Sequence, residues 1–211
     1  MEDSKSEFLD GVKNYYNAKF ELYGDTPKGV DWNSASGQEI RFSKLMQIIK
    51  PSTREFSIND LGCGYGALLD FLKVRYISFK YRGFEISQEM IEAAEKRFEQ
   101  ESNARWFHSA KLDQLADFSV ANGIFNVRLD KSDLEWSRYM KATLEEMDKA
   151  SKIGFAFNVL SAHSDSEKKR ADLYYADPSA LFEFCSSKFS NDVTVLDGYG
   201  LYEFTILIRK T

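Results

Sequence analysis

The sequence predicts an α/β fold on a doubly wound, mostly parallel sheet, with a C-terminal antiparallel hairpin and an N-terminal helical addition. Three observations predict it. From residue 55 onward, short apolar runs alternate with segments of helical periodicity, the pattern of a parallel sheet covered on both faces. The first apolar run leads straight into three closely spaced glycines, Gly62, Gly64 and Gly66, which suit a sharp strand-to-helix turn. The last two β-prone runs flank Gly198-Tyr199-Gly200, a hairpin signature.

Residues 6–22 carry Phe8, Leu9, Val12, Tyr15, Tyr16 and Phe20 and read as a helix. Residues 23–37 hold the turn formers and read as a loop. Phe42, Leu45, Met46 and Ile49 then fall at i, i+3, i+4 and i+7, an amphipathic helix that Pro51 ends. Residues 55–61 are the first strand, with a helix over 67–76 behind the glycines. Residues 80–86 are the second strand, followed by a helix that Ser87 caps. The third and fourth strands read as 104–109 and 118–127. Trp136, Met140, Leu144 and Met147 mark one face of a long helix, and 153–160 is a buried strand. Asp177-Pro178 opens a helix carrying Leu181, Phe184 and Cys185. Residues 192–197 and 201–210 pair across a tight glycine turn. One compact domain is expected: residues 1–50 supply helices and a loop able to act as a lid, and residues 51–211 form the core.

Composition narrows the function. With 211 residues, 43% hydrophobic and 15% aromatic, the chain can bury a core, which excludes disorder throughout. The 28 Lys+Arg against 33 Asp+Glu give a net charge of −5, which argues against holding nucleic acid by bulk charge. Apolar runs are too short to span a bilayer, and the first residues are acidic and polar, so no membrane partner and a cytoplasmic location are expected. Cys63 and Cys185 are too few for a disulfide scaffold, and no spacing of His, Cys, Asp and Glu suggests a metal site.

Sheets of this kind bind ligands beyond the carboxyl ends of their strands, near the switch in strand order. Asp60–Gly66, Glu85, Ser109–Lys111, Asn122–Phe125 and Asn158–His163 fall there. Gly62, Gly64 and Ala67 satisfy the relaxed dinucleotide fingerprint G-x-G-x-x-A. Asp60, however, lies two residues before the first glycine, where a pyrophosphate would meet its charge at close range. An ammonium there would gain a charge-assisted hydrogen bond. Glu85 ends the second strand, where a carboxylate accepts from both hydroxyls of a ribose. The implied ligand has a nucleoside at one end, an amino group at the other and no phosphate between them. S-adenosylmethionine (SAM) fits that description better than NAD does.

Asp60-Leu-Gly-Cys-Gly-Tyr-Gly66, followed by Gly83-Phe-Glu85-Ile-Ser-Gln-Glu-Met-Ile91, resembles the first two motifs of class I SAM-dependent methyltransferases. In motif order the resemblance extends over roughly residues 40–160, and it implies the family's Rossmann-like fold. It implies that Asp60, Gly62 and Gly64 line the methionine end of the cofactor, that Glu85 holds the ribose and that Ile86 lies against the adenine. Many members place an acidic residue after the third strand to meet the adenine amino group; here Ser109 or backbone stands in. Cys63 sits inside the loop as a small lining residue, with no adjoining base to make it a nucleophile. The stretch Ala121-Asn122-Gly123-Ile124-Phe125 is similar to the family's segment beside the transferred methyl, which adds Asn122 to the cofactor set. It is not the Asn/Asp-Pro-Pro-aromatic motif of methylases acting on nucleobase amines, a further point against nucleic acid.

The N-terminal segment supplies Tyr15, Tyr16, Trp32, Gln38 and Arg41 as lid candidates, with Arg41 meeting the methionine carboxylate; the competing assignment is core packing and a solvated charge. His163 follows the strand ending at Leu160 and is the candidate general base, against a solvated loop histidine. Methyl transfer from a sulfonium is an in-line displacement that needs positioning more than a catalytic triad. The expected reaction therefore carries a methyl group from SAM to an oxygen or nitrogen of a small-molecule acceptor, leaving S-adenosylhomocysteine (SAH). Two alternatives stay open: an NAD(P)-dependent oxidoreductase, and a non-catalytic nucleoside-binding module. Oligomeric state is not legible.

Overall fold

The computed structural model of the protein describes residues 2–210. Its helices are α1 (Glu2–Tyr23), α2 (Ala35–Leu45), α3 (Ala67–Arg75), α4 (Gln88–Arg97), α5 (Asp133–Lys149) and α6 (Pro178–Lys188). Its strands are β1 (Glu55–Leu61), β2 (Ser78–Glu85), β3 (Ala104–His108), β4 (Ala116–Ala121), β5 (Ser151–Leu160), β6 (Asp192–Leu196) and β7 (Glu203–Arg209). The strands form one sheet in the order β3-β2-β1-β4-β5-β7-β6. β1 to β5 pair in parallel, and β7 runs antiparallel to both β5 and β6, so the C-terminal hairpin contributes one reversed strand.

The expected fold class is the observed one, and local chemistry accounts for its elements. Ser87 Oγ accepts from the Met90 N–H at the start of α4, and Ser132 and Glu135 close a reciprocal capping box on α5. Asp177 accepts from the Ala180 N–H with Pro178 in the first turn of α6. Strand alternation divides the core between the two faces. Ile58, Phe118 and Ala156 pack with Leu45, Leu68 and Leu72 on one face, while Phe155, Phe157 and Ile206 pack with Met140, Leu144 and Leu181 on the other. A third apolar group joins α1 to α5: Leu9 and Val12 meet Trp136, whose Nε1 donates to the Phe125 carbonyl at 2.8 Å.

Several boundaries differ from the sequence expectation. α1 begins at Glu2, and the loop after it holds a 3-10 turn at Pro27–Val30. α2 gives way to a 3-10 turn over Met46–Ile48, short of the expected end. The fourth strand stops at Ala121 rather than continuing to 127, because Gly123 turns the chain at φ +77°. Residues 197–202, not a tight glycine turn, connect β6 to β7, whose pairing closes at Leu196 and Thr205. No described helix is long and apolar enough to cross a membrane.

Strand order reverses between β1 and β4. Their carboxyl ends splay their following segments to opposite sides and leave a crevice at that edge.

Candidate active site

The crevice is a cleft of about 890 Å³, its open mouth included. Its floor is the turn after β1. Gly62 adopts φ +74°, and a Cβ there would lie 2.2 Å from Ile124 Cγ2, so both backbone and space demand glycine. The turn is folded back on β2: the N–H groups of Gly62 and Cys63 donate to the Phe84 carbonyl at 2.7 and 3.1 Å.

Two buried carboxylates flank this turn. Asp60, 2% exposed, accepts from the Tyr81 hydroxyl at 2.7 Å. Burial pushes its pKa up to about 7; the Glu85 charge adds to the rise and the Tyr81 hydrogen bond opposes it. Glu85 is 8% exposed. Its Oε2 accepts from the Gly64 N–H at 3.0 Å, and its Oε1 accepts from Ile86 and Ser87 at 2.7 and 3.1 Å. Burial raises its pKa, with those backbone bonds pulling the other way. The Glu85 carboxylate thus ties the glycine turn to the end of β2, a structural duty that strand-end position alone does not reveal. Next to it, the Ser109 N–H donates to the Glu85 carbonyl at 2.9 Å, while Ser109 Oγ exchanges hydrogen bonds with the Lys111 backbone.

The N-terminal segment roofs the cleft. Tyr16, Val30, Trp32 and Gln38 all line it. Val30 Cγ1 sits 3.0 Å from where a Gly64 Cβ would be, and a Cβ on Gly123 would strike the Trp32 ring at 2.5 Å. Asp31 anchors this roof, accepting from the Tyr15 hydroxyl at 2.6 Å and pairing with Lys19 at 2.9 Å. Burial raises the Tyr16 and Tyr139 phenols well above their ordinary range, so neither is a ready base.

Of the residues singled out from sequence, Tyr16, Asp60, Gly62, Cys63, Gly64, Glu85, Ile86, Ser109 and Asn122 all line the cleft. Arg41 and His163 are not in its lining. Arg41 Nε is instead engaged by Glu203 Oε2 at 2.8 Å, and its guanidinium lies 4.0 Å from the Trp32 ring centroid. His163 is exposed, with Nε2 3.9 Å from Asp177 Oδ2. Sequence reading passed over Glu203, which is 2% exposed and accepts from Arg41, Asn158 and Tyr199. It also passed over Tyr139 and Met90, which help to line the cleft. Glu203 did leave a signal: it is a lone carboxylate at the head of the apolar run Phe204–Ile208.

Residues 58–154 match the family described as Methyltransferase domain. The Mycobacterium tuberculosis protein Rv1506c, provisionally named a methyltransferase, is 55% identical over 155 residues, spanning 74% of this chain and 93% of that protein. Similar solved structures include the N-methyltransferase NodS of Bradyrhizobium japonicum in complex with SAH, with TM-score 0.67, 16% identity and coverage of 95% of this chain and 99% of that one. Magnesium protoporphyrin IX methyltransferase of Synechocystis with bound SAM aligns with TM-score 0.65, 12% identity and 95% coverage of each chain. At these identities the two structures share the fold.

Proposed function

Because the chain belongs to the class I SAM-dependent methyltransferase family, we propose that it transfers a methyl group from SAM to an oxygen or nitrogen of a small-molecule acceptor. The observation that carries the cofactor assignment is the state of the glycine turn. A pyrophosphate-binding turn needs free N–H groups aimed at the ligand. Here the N–H groups of Gly62, Cys63, Gly64 and Gly66 are already taken by Phe84, Glu85 and Cys63 oxygens. What the turn offers a ligand is negative charge, from Asp60 and Glu85. That favours a nucleoside carrying an ammonium and counts against NAD.

In this proposal Asp60 accepts from the amino group of the methionine moiety, and Glu85 accepts from the ribose hydroxyls. Ile86 and Ser109 face the adenine, Gly62, Cys63 and Gly64 form the floor, and Tyr16 closes the roof. SAM, when bound, supplies an activated methyl group with its leaving group built in. The protein positions the acceptor and excludes water under the roof of residues 16–38. No base is required of His163. The roof over the cleft favours a small acceptor. Both cysteines are buried free thiols, which suits the reducing cytoplasm.

Calorimetry tests the cofactor: SAM and SAH bind, and NAD does not. Tight NAD binding with none of SAH would overturn the proposal in favour of an oxidoreductase. Transfer of labelled methyl from SAM to a panel of small phenols, amines and carboxylates separates an enzyme from a non-catalytic binding module.

A further inference from the structure

Glu203, Asn158 and Asn122 form a buried hydrogen-bonded chain that ends on the cleft wall, and the direction of every bond in it is fixed. The Gly123 N–H can only donate, and it does so to Asn158 Oδ1 at 2.6 Å. Asn158 Nδ2 is therefore the end that donates to Glu203 Oε1 and to Asn122 Oδ1, each at 2.9 Å. Arg41 Nε at 2.8 Å and the Tyr199 hydroxyl at 3.3 Å hold the Glu203 carboxylate in place. Asn158 is fully buried and Glu203 nearly so. The Asn122 oxygen is thus turned inward. Its Nδ2, which has no acceptor among the described residues, is the end left for the cleft that Asn122 lines.

Position along the sheet says what meets that N–H. Glu85 ends β2, Asp60 lies near the end of β1, Asn122 follows β4 and Asn158 lies on β5. A cofactor with its ribose on Glu85 and its amino group on Asp60 spans β2 and β1. The β4–β5 side, walled by Trp32 against Gly123, is then left for the methyl acceptor.

We propose that Asn122 is a specificity-determining residue that donates a hydrogen bond to a carbonyl or carboxylate oxygen of the methyl acceptor, with Asn158 and Glu203 as its positioning residues. This rests on the methyltransferase reading of the cleft. An acceptor presenting an N–H at that point sets donor against donor and is disfavoured. The carboxylate of the cofactor is the other source of the same chemistry, and the test separates the two.

The test uses the full chain, 15N-labelled and saturated with SAH, with the Asn122 side-chain amide signals identified by their loss in Asn122→Asp. Benzoate is the probe and benzylamine the matched cation. Benzoate shifts the Asn122 amide signals and benzylamine does not. Asn158→Ala weakens benzoate by about fivefold while SAH affinity stays within about threefold, the scale of one misplaced hydrogen bond. Should Asn158→Ala fail to fold, Asn122→Asp carries the same test, because it reverses the preference toward benzylamine. Benzoate leaving the signals unmoved overturns the proposal. So does a shift already complete with SAH but absent with 5′-methylthioadenosine, which assigns the donor to the cofactor carboxylate. Loss of SAH binding by the wild type would instead overturn the cofactor assignment, a distinct result.

Discussion

The proposed Asp60–ammonium contact predicts a pH dependence of cofactor affinity that can be worked out from the surroundings of Asp60. Its carboxyl has a pKa pushed up to about 7 in the free protein, chiefly because burial penalises the charge. Only the ionised form accepts the ligand ammonium as a charge-assisted hydrogen bond. With that pKa, about one molecule in eleven is ionised at pH 6 and about ten in eleven at pH 8, so SAH affinity rises roughly tenfold between them, or about 1.4 kcal/mol. The ligand amino group stays protonated over this range and contributes little slope. Calorimetric titration of SAH at half-unit pH steps measures the profile, and 5′-methylthioadenosine, which lacks the amino acid, provides the flat control. Asn in place of Asp60 removes the slope and weakens SAH at pH 8 by about 10- to 100-fold, the scale of a charged hydrogen bond. The stability of the free protein carries the opposite sign. The folded pKa lies above the model-compound value of 3.8, so between them the folded state binds the extra proton and stability falls as pH rises toward 7. Asp60→Asn therefore melts higher than wild type at pH 8 and loses that advantage near pH 4. A flat SAH profile in the wild type, or an unchanged slope in Asp60→Asn, would refute the ammonium assignment.

Tyr81→Phe removes the one hydrogen bond that lowers the Asp60 pKa, so the midpoint of the SAH profile moves to higher pH; a midpoint that stays put removes Tyr81 from the account. Glu85→Gln places an amide NH2 against either the Gly64 N–H or the Ile86 and Ser87 pair. Chemical denaturation should show a loss of about 1–3 kcal/mol together with a fall in SAH affinity, whereas full stability with weakened SAH would mean the loop knot is unimportant. Gly62→Ala strains a left-handed residue and drives its Cβ into Ile124; the unfolding free energy from chemical denaturation should fall by about 1–3 kcal/mol, and Ile124→Ala in the same chain should recover part of it. His163→Ala should leave SAH affinity and methyl transfer unchanged in the same assays, given its exposure outside the cleft lining.

The sheet, its switch point and the glycine turn were legible because each rests on local signals: period-2 and period-3.6 patterning, caps at Ser87 and Asp177, and glycines where φ is positive. The end of β4 was not, since residues 122–127 continue an apolar pattern that the Gly123 turn nonetheless breaks. Glu203 was hidden for a topological reason. The rule that ligands gather at carboxyl ends selects the ends of parallel strands, but β7 is reversed. Its first residue pairs with Leu160 at the end of β5 and so reaches the same edge. Once a terminal hairpin is recognised, the amino end of its reversed strand belongs in the search. The Arg41–Glu203 contact joins residues 162 positions apart in sequence, beyond the reach of any spacing argument.

The buried Arg41–Glu203 pair also explains how the N-terminal roof is joined to the core without an obstruction in the cleft. Arg41 stands on α2, stacks on Trp32 and reaches β7, so one side chain braces the roof against the reversed strand of the sheet. A buried ion pair is weak evidence for added stability, because desolvation offsets its Coulomb attraction. Its value here is geometric: Glu203 also fixes Asn158, and through it Asn122 and the turn at Gly123 on which Trp32 rests. The roof and the β4–β5 side of the cleft are therefore tied to the same carboxylate. Disturbing Arg41 should move both together, with the acceptor-side donor losing its orientation as the roof loosens.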